Sequence, residues 1–321
     1  MSAFETALIL TGPTACGKTA LSLDLAERIG AEVLAMDSMT MYRGMDVGTA
    51  KPTPTERARI PHHLIDTLDP WESATVEWWL RQAEEACQEI VGRGKRPLFV
   101  GGTPFYLKAL LHGLFPGPPA NPSLRERLED EAAREGNERL HARLAAVDPK
   151  TAARLHSNDV RRVVRALEVW ELTGKPISAW QQTWDTESFA GDAAPPPARL
   201  PVVVLEVARE LLYDNINRRV GEMLAAGWME EVRRLQELPQ PLSRQAGQAL
   251  GYSELIEYLA GRGGGWDETV NRIRTRTRQF AKRQLTWFRH LAVCTPVAVD
   301  GPDTGDRVLR AWASFRSGAE N

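Results

Sequence analysis

Gly12-Pro13-Thr14-Ala15-Cys16-Gly17-Lys18-Thr19 decides the fold. The stretch fits the spacing GxxxxGK[S/T] of a phosphate-binding P-loop. Its flanks complete the signature: residues 6–10, Thr-Ala-Leu-Ile-Leu, read as a short buried strand, and Lys18 to Ile29 as a helix. A glycine-rich turn in that setting aims backbone amides at phosphate oxygens, and the helix N-terminus adds partial positive charge. Lys18 adds a full charge, and the Thr19 hydroxyl suits a bound Mg2+. The motif predicts a polyphosphate ligand and does not specify ATP.

Working outward, residues 31–36 read as a second strand, 76–93 as a helix and 97–100 as a third strand ended by Gly101-Gly102. Short apolar strands alternating with helices predict an α/β fold, a parallel sheet with helices on both faces. The strand ends carry the chemistry in such sheets. Asp37-Ser38 follows the second strand, and Asp37 fits a general base or a magnesium ligand. A turn or cap aspartate is the plainer alternative. Residues 38–52 are polar, punctuated by glycine and without helical period, as expected of a functional loop. Gly101-Gly102-Thr103 lets backbone approach closely and then presents a hydroxyl, although a bare strand-end turn would look the same. The adjacent pair His62-His63 cannot put both rings on one metal and reads as a loop feature.

The texture changes after Gly113. Phe115-Pro116-Gly117-Pro118-Pro119 is a breaker cluster, residues 122–184 show helical period only, and residues 193–201 carry four prolines and read as a linker. Residues 202–205 return to strand character. The expected organisation is a P-loop NTPase-like core in two parts, residues 1–119 and 198–321, interrupted by a mostly helical insertion over residues 120–197. Within the insertion, His156, Asn158 and Asp159 precede Arg161, Arg162 and Arg165, three arginines on one helix face. A solvated charged face is the alternative reading.

Net charge is −2, yet residues 269–299 hold no Asp or Glu and seven Arg or Lys: Arg272, Arg274, Arg276, Arg278, Lys282, Arg283 and Arg289. A near-neutral chain with one concentrated basic segment still presents an electrostatic footprint to RNA. The run fits a helix with Ile273, Phe280, Trp287 and Leu291 on a buried stripe, although residues 272–278 also alternate with the period of a strand. The 321 residues suffice for about two domains. No apolar run approaches the ~20 residues that span a bilayer, the N-terminus has no basic leader region, and the three cysteines form no CxxC pair. These features predict a cytoplasmic protein with no membrane partner and neither a disulfide framework nor a zinc site.

Four blocks in this order resemble the tRNA dimethylallyltransferases: Gly12–Thr19, Asp37-Ser38 through Asp46-Val47-Gly48-Thr49-Ala50-Lys51-Pro52, Val100-Gly101-Gly102-Thr103, and Arg278 through Arg289. His156-Ser157-Asn158-Asp159 and Leu250-Gly251-Tyr252 add support. The likeness runs from about Leu8 to Arg289. It implies that Asp37 is the general base at an adenine amine, that Gly12 to Thr19 hold the diphosphate, and that Thr103 lines the passage where the substrates meet. It implies that Arg209 reaches the diphosphate. The implied tRNA contacts are Asp37, Ser38, Met39, Thr40, Thr103, Arg125, Arg161, Arg162 and Arg165, to which the basic run adds Arg278, Lys282 and Arg283. The implied substrates are dimethylallyl diphosphate and the anticodon stem-loop of tRNA, with Mg2+ as cofactor, and we expect a monomer. This sequence departs from the family pattern at Cys16 for a usual serine, Pro104-Phe105 for glycine-leucine and Ser157 for proline; none of these removes a chemical role, and Pro104 is the one that bears on the shape of the passage.

Two rival functions fit parts of the sequence. A small-molecule kinase would share the P-loop but would need an ATP adenine site and an arginine-bearing lid, neither of which the sequence identifies. A non-catalytic RNA-binding module would leave the P-loop and Asp37 without a purpose.

Overall fold

The computed structural model describes residues 4–114, 117–180, 200–291 and 293–319. Its strands are β1 (Leu8–Thr11), β2 (Ala31–Ala35), β3 (His62–His63), β4 (Arg96–Gly101), β5 (Val202–Glu206) and β6 (Cys294–Ala298). They form one parallel sheet in the order β3-β2-β4-β1-β5-β6. The inner strands are buried along almost their whole length, Leu8–Thr11 and Ala31–Ala35 entirely so, as a sheet covered on both faces requires. Alternation divides the side chains between two cores. Ile9, Leu34, Phe99 and Val204 face one, with Trp79, Ala83, Cys87 and Ile90 from the helix Val76–Gly92. Leu8, Leu10, Val33 and Leu98 face the other, with Leu23 and Ala26 from the helix Lys18–Ile29 and Trp312 from the helix Thr304–Ala319.

Four strands and the helices after β1 and before β4 lie where the sequence puts them. Two strands were not expected, and both are edges. His62-His63 is a two-residue strand against β2 and not a loop feature. His63 Nε2 lies 2.7 Å from Glu32 Oε2 and His62 Nδ1 2.7 Å from the Ile60 carbonyl. The other edge, β6, contains Pro296, which an outer strand tolerates because its N–H side needs no partner.

The chain forms two compact units, Met1–Leu111 with Pro197–Asn321, and His112–Pro196. The second is built on the helices Pro122–Glu135, Asn137–Val147, Pro149–Arg154, Val160–Thr173 and Ile177–Trp180. Its core is Leu128, Leu140, Leu144, Val163, Val164 and Leu167 with their neighbours. Residues 115–116 of the breaker cluster, 181–184 of the helical stretch and 193–199 of the proline-rich linker lie outside the described residues.

Candidate active site

The C-terminal ends of β1, β4 and β2 bring three of the sequence motifs to one edge of the sheet. After β1, Ala15 and Gly17 adopt positive φ (63° and 91°) and the helix starts at Lys18. That alternation curves successive amides into an anion-binding concavity. Lys18 Nζ donates to the carbonyls of Gly12 (3.0 Å) and Pro13 (2.7 Å) and lies 3.7 Å from Cys16 Sγ. The ammonium is thus held over the loop. Cys16 is buried, and its sulfur would lie 2.9 Å from a Cβ at Gly12.

The glycines at the end of β4, Gly101 and Gly102, are a packing requirement. A Cβ at Gly101 would lie 2.0 Å from the Met36 carbonyl, and one at Gly102 would lie 2.5 Å from Gln284 Nε2 and 3.1 Å from the Gly12 carbonyl. This close approach lets Thr103 reach the end of β2. Its amide donates to the Met36 carbonyl (3.3 Å), and its Oγ1 accepts from the Ser38 amide (3.3 Å). Asp37 Oδ1 accepts from the Met39 amide at 2.8 Å, the aspartate turn of the plainer reading, in a place that also suits a base. Burial pushes the nearby Tyr106 phenol well above its usual range, and the Asp37 charge adds to the effect. Tyr106 in turn stacks on Trp79 at 4.4 Å.

The loop after Asp37 is pinned from beneath. Buried Glu231 accepts from the amides of Asp46 (2.8 Å), Val47 (2.8 Å) and Gly48 (3.2 Å), and from the Tyr252 hydroxyl (2.6 Å). Lys51, also buried, donates to the Tyr42 carbonyl (2.5 Å), Asp46 (2.7 Å) and Asp66 (2.5 Å). Beside this loop lies a cavity of about 850 Å³ whose lining includes Arg43, Lys51, Arg57, Asp66, Arg219 and Glu222.

Two residues belong to the site that sequence reasoning passed over. Arg219 lies on the helix Arg209–Ala225 and is half-buried. Burial pushes its guanidinium below the usual arginine value, against the pull of the Asp37, Cys16 and Glu222 charges. The side chain therefore lies within electrostatic reach of Asp37 and of Cys16 in the P-loop, and it lines the cavity beside the loop. Arg209, expected to reach the diphosphate, starts the same helix, is exposed and lies over the Tyr213 ring at 5.2 Å. The second is Gln284, buried on the long helix Trp266–Arg289. Its Oε1 accepts from the Thr14 amide (2.9 Å), and its Nε2 donates to the Gly102 carbonyl (2.5 Å).

The basic run is helical throughout. Its buried side is Ile273, Ala281, Gln284 and Phe288, whereas Phe280 is half-buried and Trp287 is 40% exposed. From Ile273 to Trp287 the expected stripe steps by seven residues, which drifts ~20° per step on a straight helix and walks off the buried face, whereas Leu291, its last member, is buried. Nor does the run lack acidic partners. Arg272 pairs with Glu257 and Arg276 with Glu254, both on the helix Tyr252–Leu259. Arg278 donates to Asn217 Oδ1 (2.9 Å) and lies 5.9 Å from the Tyr213 ring. Lys282, Arg283 and Arg289 are exposed, and among the described residues no ion pair involves them.

In the second unit, the three arginines do not share one outward face. Arg161 and Arg162 point out, Arg162 pairing with Asp159. Arg165 and Arg125 turn to Glu168, which is fully buried. Burial would raise the Glu168 carboxyl, but both arginines and the Asn121 amide outweigh it and hold it below the usual carboxylate range.

Among the described residues no three His, Cys, Asp or Glu gather to hold a metal, and no helix is long and apolar enough to cross a membrane. A divalent ion would take most of its ligands from substrate phosphate and water, with the Thr19 hydroxyl as a protein ligand. Hard oxygens with retained waters are the usual surroundings of Mg2+ in proteins.

Comparison with known proteins gives consistent matches. The IPP transferase family profile matches residues 40–291, and the isopentenyl transferase profile residues 5–66. The tRNA dimethylallyltransferase of Geobacter metallireducens is 49% identical over 308 residues, covering 96% of each chain. That of Shouchella clausii is 44% identical and covers 98% of each. The crystal structure of a tRNA isopentenylpyrophosphate transferase from Bacillus halodurans superposes with a TM-score of 0.70 at 36% identity, over 99% of this chain and 100% of that one. A eukaryotic dimethylallyltransferase described as acting on tRNA superposes with a TM-score of 0.75 at 26% identity, covering 97% of this chain and 77% of that one.

Proposed function

We infer the activity from membership of a family: the chain belongs to the IPP transferases, and it is a prenyltransferase that transfers a dimethylallyl group to tRNA. In our reading the donor is dimethylallyl diphosphate. The acceptor is the exocyclic amine of the adenosine immediately 3′ of the anticodon, and the products are N6-dimethylallyladenosine and pyrophosphate.

One observation carries the reading. The Ser38 amide donates to Thr103 Oγ1 (3.3 Å), which ties Asp37 to the strand end that packs on the P-loop. A proton acceptor and a diphosphate cradle therefore share one edge of the sheet. An adenine amine is a poor nucleophile, and an allylic diphosphate compensates because its developing cation is delocalised. Catalysis then depends on stabilising the departing diphosphate, which falls to the loop amides, Lys18 and Arg219. Mg2+, when bound at Thr19, neutralises part of that charge. Asp37 accepts the amine proton as nitrogen bonds to carbon. The adenine must leave its stack to reach this point. Arg161 and Arg162 in one unit and Lys282, Arg283 and Arg289 in the other are the cations available to tRNA phosphates.

The test is equilibrium binding in the presence of Mg2+. A thio analogue of dimethylallyl diphosphate should bind more tightly than ATP, and Lys18→Ala should weaken it. Preferential ATP binding would favour a kinase.

A further inference from the structure

Gln284 joins two parts of the site that are otherwise separate in sequence. Thr14 belongs to the P-loop, and Gly102 precedes Thr103, which bonds to the residue after Asp37. Gln284 touches both from a third element, the helix Trp266–Arg289. We propose that Gln284 is a positioning residue that fixes the distance between the diphosphate cradle and the base.

The orientation of the amide is forced. The Thr14 N–H is a donor, so it must meet the carboxamide oxygen. The Gly102 carbonyl is an acceptor, so it must meet the carboxamide nitrogen. A side chain here must accept at one end and donate at the other, and the sequence supplies one that does both. Gln284 is 3% exposed, so water does not replace either bond readily. A Cβ at Gly102 would strike the Gln284 nitrogen at 2.5 Å, so the glycine and the glutamine form one fitted contact.

The bond at Thr14 has a second effect. It occupies that amide, which leaves the amides after it, where Ala15 and Gly17 take positive φ, for an anion. Thr14 is then the fixed point on which the cradle hangs. A hydrogen-bonded path runs from Thr14 through Gln284 to Gly102, on through Thr103 to the Ser38 amide, next to Asp37. Group transfer needs the leaving group and the nucleophile held at a set separation, and a 1 Å error costs about 100-fold.

This inference rests on the proposed transferase reading, and the parent enzyme in the same assay separates the two. If the parent transfers no prenyl group, that reading fails; if it does, the variants decide the role of Gln284. Gln284→Ala should lower kcat about 100-fold while the KM for tRNA stays within about threefold. Gln284→Glu keeps the acceptor but, when ionised, sets a carboxylate oxygen against the Gly102 carbonyl. Protonated, it is nearly isosteric with glutamine and donates again. Burial raises a carboxyl pKa, so the ratio of Gln284→Glu to parent kcat should rise at least about tenfold from about pH 8 to about pH 5.5. Taking the ratio removes pH effects common to both proteins, and circular dichroism at each pH confirms that both are folded. Should Gln284→Ala fail to fold, Gln284→Glu carries the test alone. A flat ratio, or Gln284→Ala turnover within about threefold of parent, would overturn the proposal.

Discussion

The Thr103 hydroxyl accepts a hydrogen bond from the Ser38 amide at 3.3 Å, joining the ends of β4 and β2 next to the proposed base. Thr103→Ala removes that acceptor without altering either strand. It should lower kcat/KM for prenyl transfer about tenfold, the value of one lost hydrogen bond, whereas Thr103→Ser should stay near the parent. Steady-state kinetics of the two variants checks this. Equal losses in both would show that the methyl group matters and the hydroxyl does not.

Much of this edge was legible because its determinants are local. The P-loop, Asp37-Ser38 and Gly101-Gly102-Thr103 are short runs that each follow an apolar strand, so strand and motif point to one sheet edge. Arg219 was not legible: it is mid-helix among other charged residues, and only the fold brings it near Asp37. Gln284 lies inside the block that resembles the family, yet its partners are 182 and 270 residues away. Arg125 and Arg165 read as outward cations because the carboxylate they share, Glu168, shows no sign in sequence of being buried. Trp287 reads as core only because a seven-residue step imitates a helical stripe over a short range.

Glu231 is a buried carboxylate whose bonds to three consecutive amides hold the loop after Asp37. Glu231→Ala leaves those amides and the Tyr252 hydroxyl without their acceptor. It should lower unfolding stability by about 2–4 kcal/mol, measured by urea denaturation. A change below about 0.5 kcal/mol, the level of an ordinary surface substitution, would mean that the loop is held by other contacts.

The Glu168 carboxyl is held below its usual range by Arg125 and Arg165 in spite of burial. A group with a depressed folded value contributes stability that is fully present above its unfolded value, near about pH 4.3. That contribution is lost as pH falls through the lower folded value. Parent stability should therefore drop more than that of Glu168→Gln between about pH 6 and about pH 3. Equal slopes would contradict the assignment. Arg125→Ala should destabilise the protein at neutral pH as well as any effect it has on tRNA.

Cations exposed on the long helix should set the salt dependence of tRNA binding. Replacing Lys282 and Arg283 together with Ala should flatten the slope of log affinity against log salt by about 1.5–2, about one for each phosphate contact. Arg276→Ala should leave the slope unchanged, because Arg276 pairs with buried Glu254. Fluorescence anisotropy with a labelled anticodon stem-loop measures both. The same slope in the double variant and the parent would remove those two residues from the RNA-binding face.

In the proposed reaction one sheet edge holds a diphosphate for transfer of its prenyl group to an adenosine. The most direct measurement incubates the protein and Mg2+ with tRNA bearing an adenosine 3′ of its anticodon, and with either prenyl-labelled dimethylallyl diphosphate or γ-labelled ATP. Label from the prenyl donor should be found in N6-dimethylallyladenosine after digestion, with one pyrophosphate released per transfer. Asp37→Asn should lower kcat by about 10²–10⁴ while still binding tRNA. ADP formation from ATP, with no prenylated adenosine in the digest, would contradict that reaction.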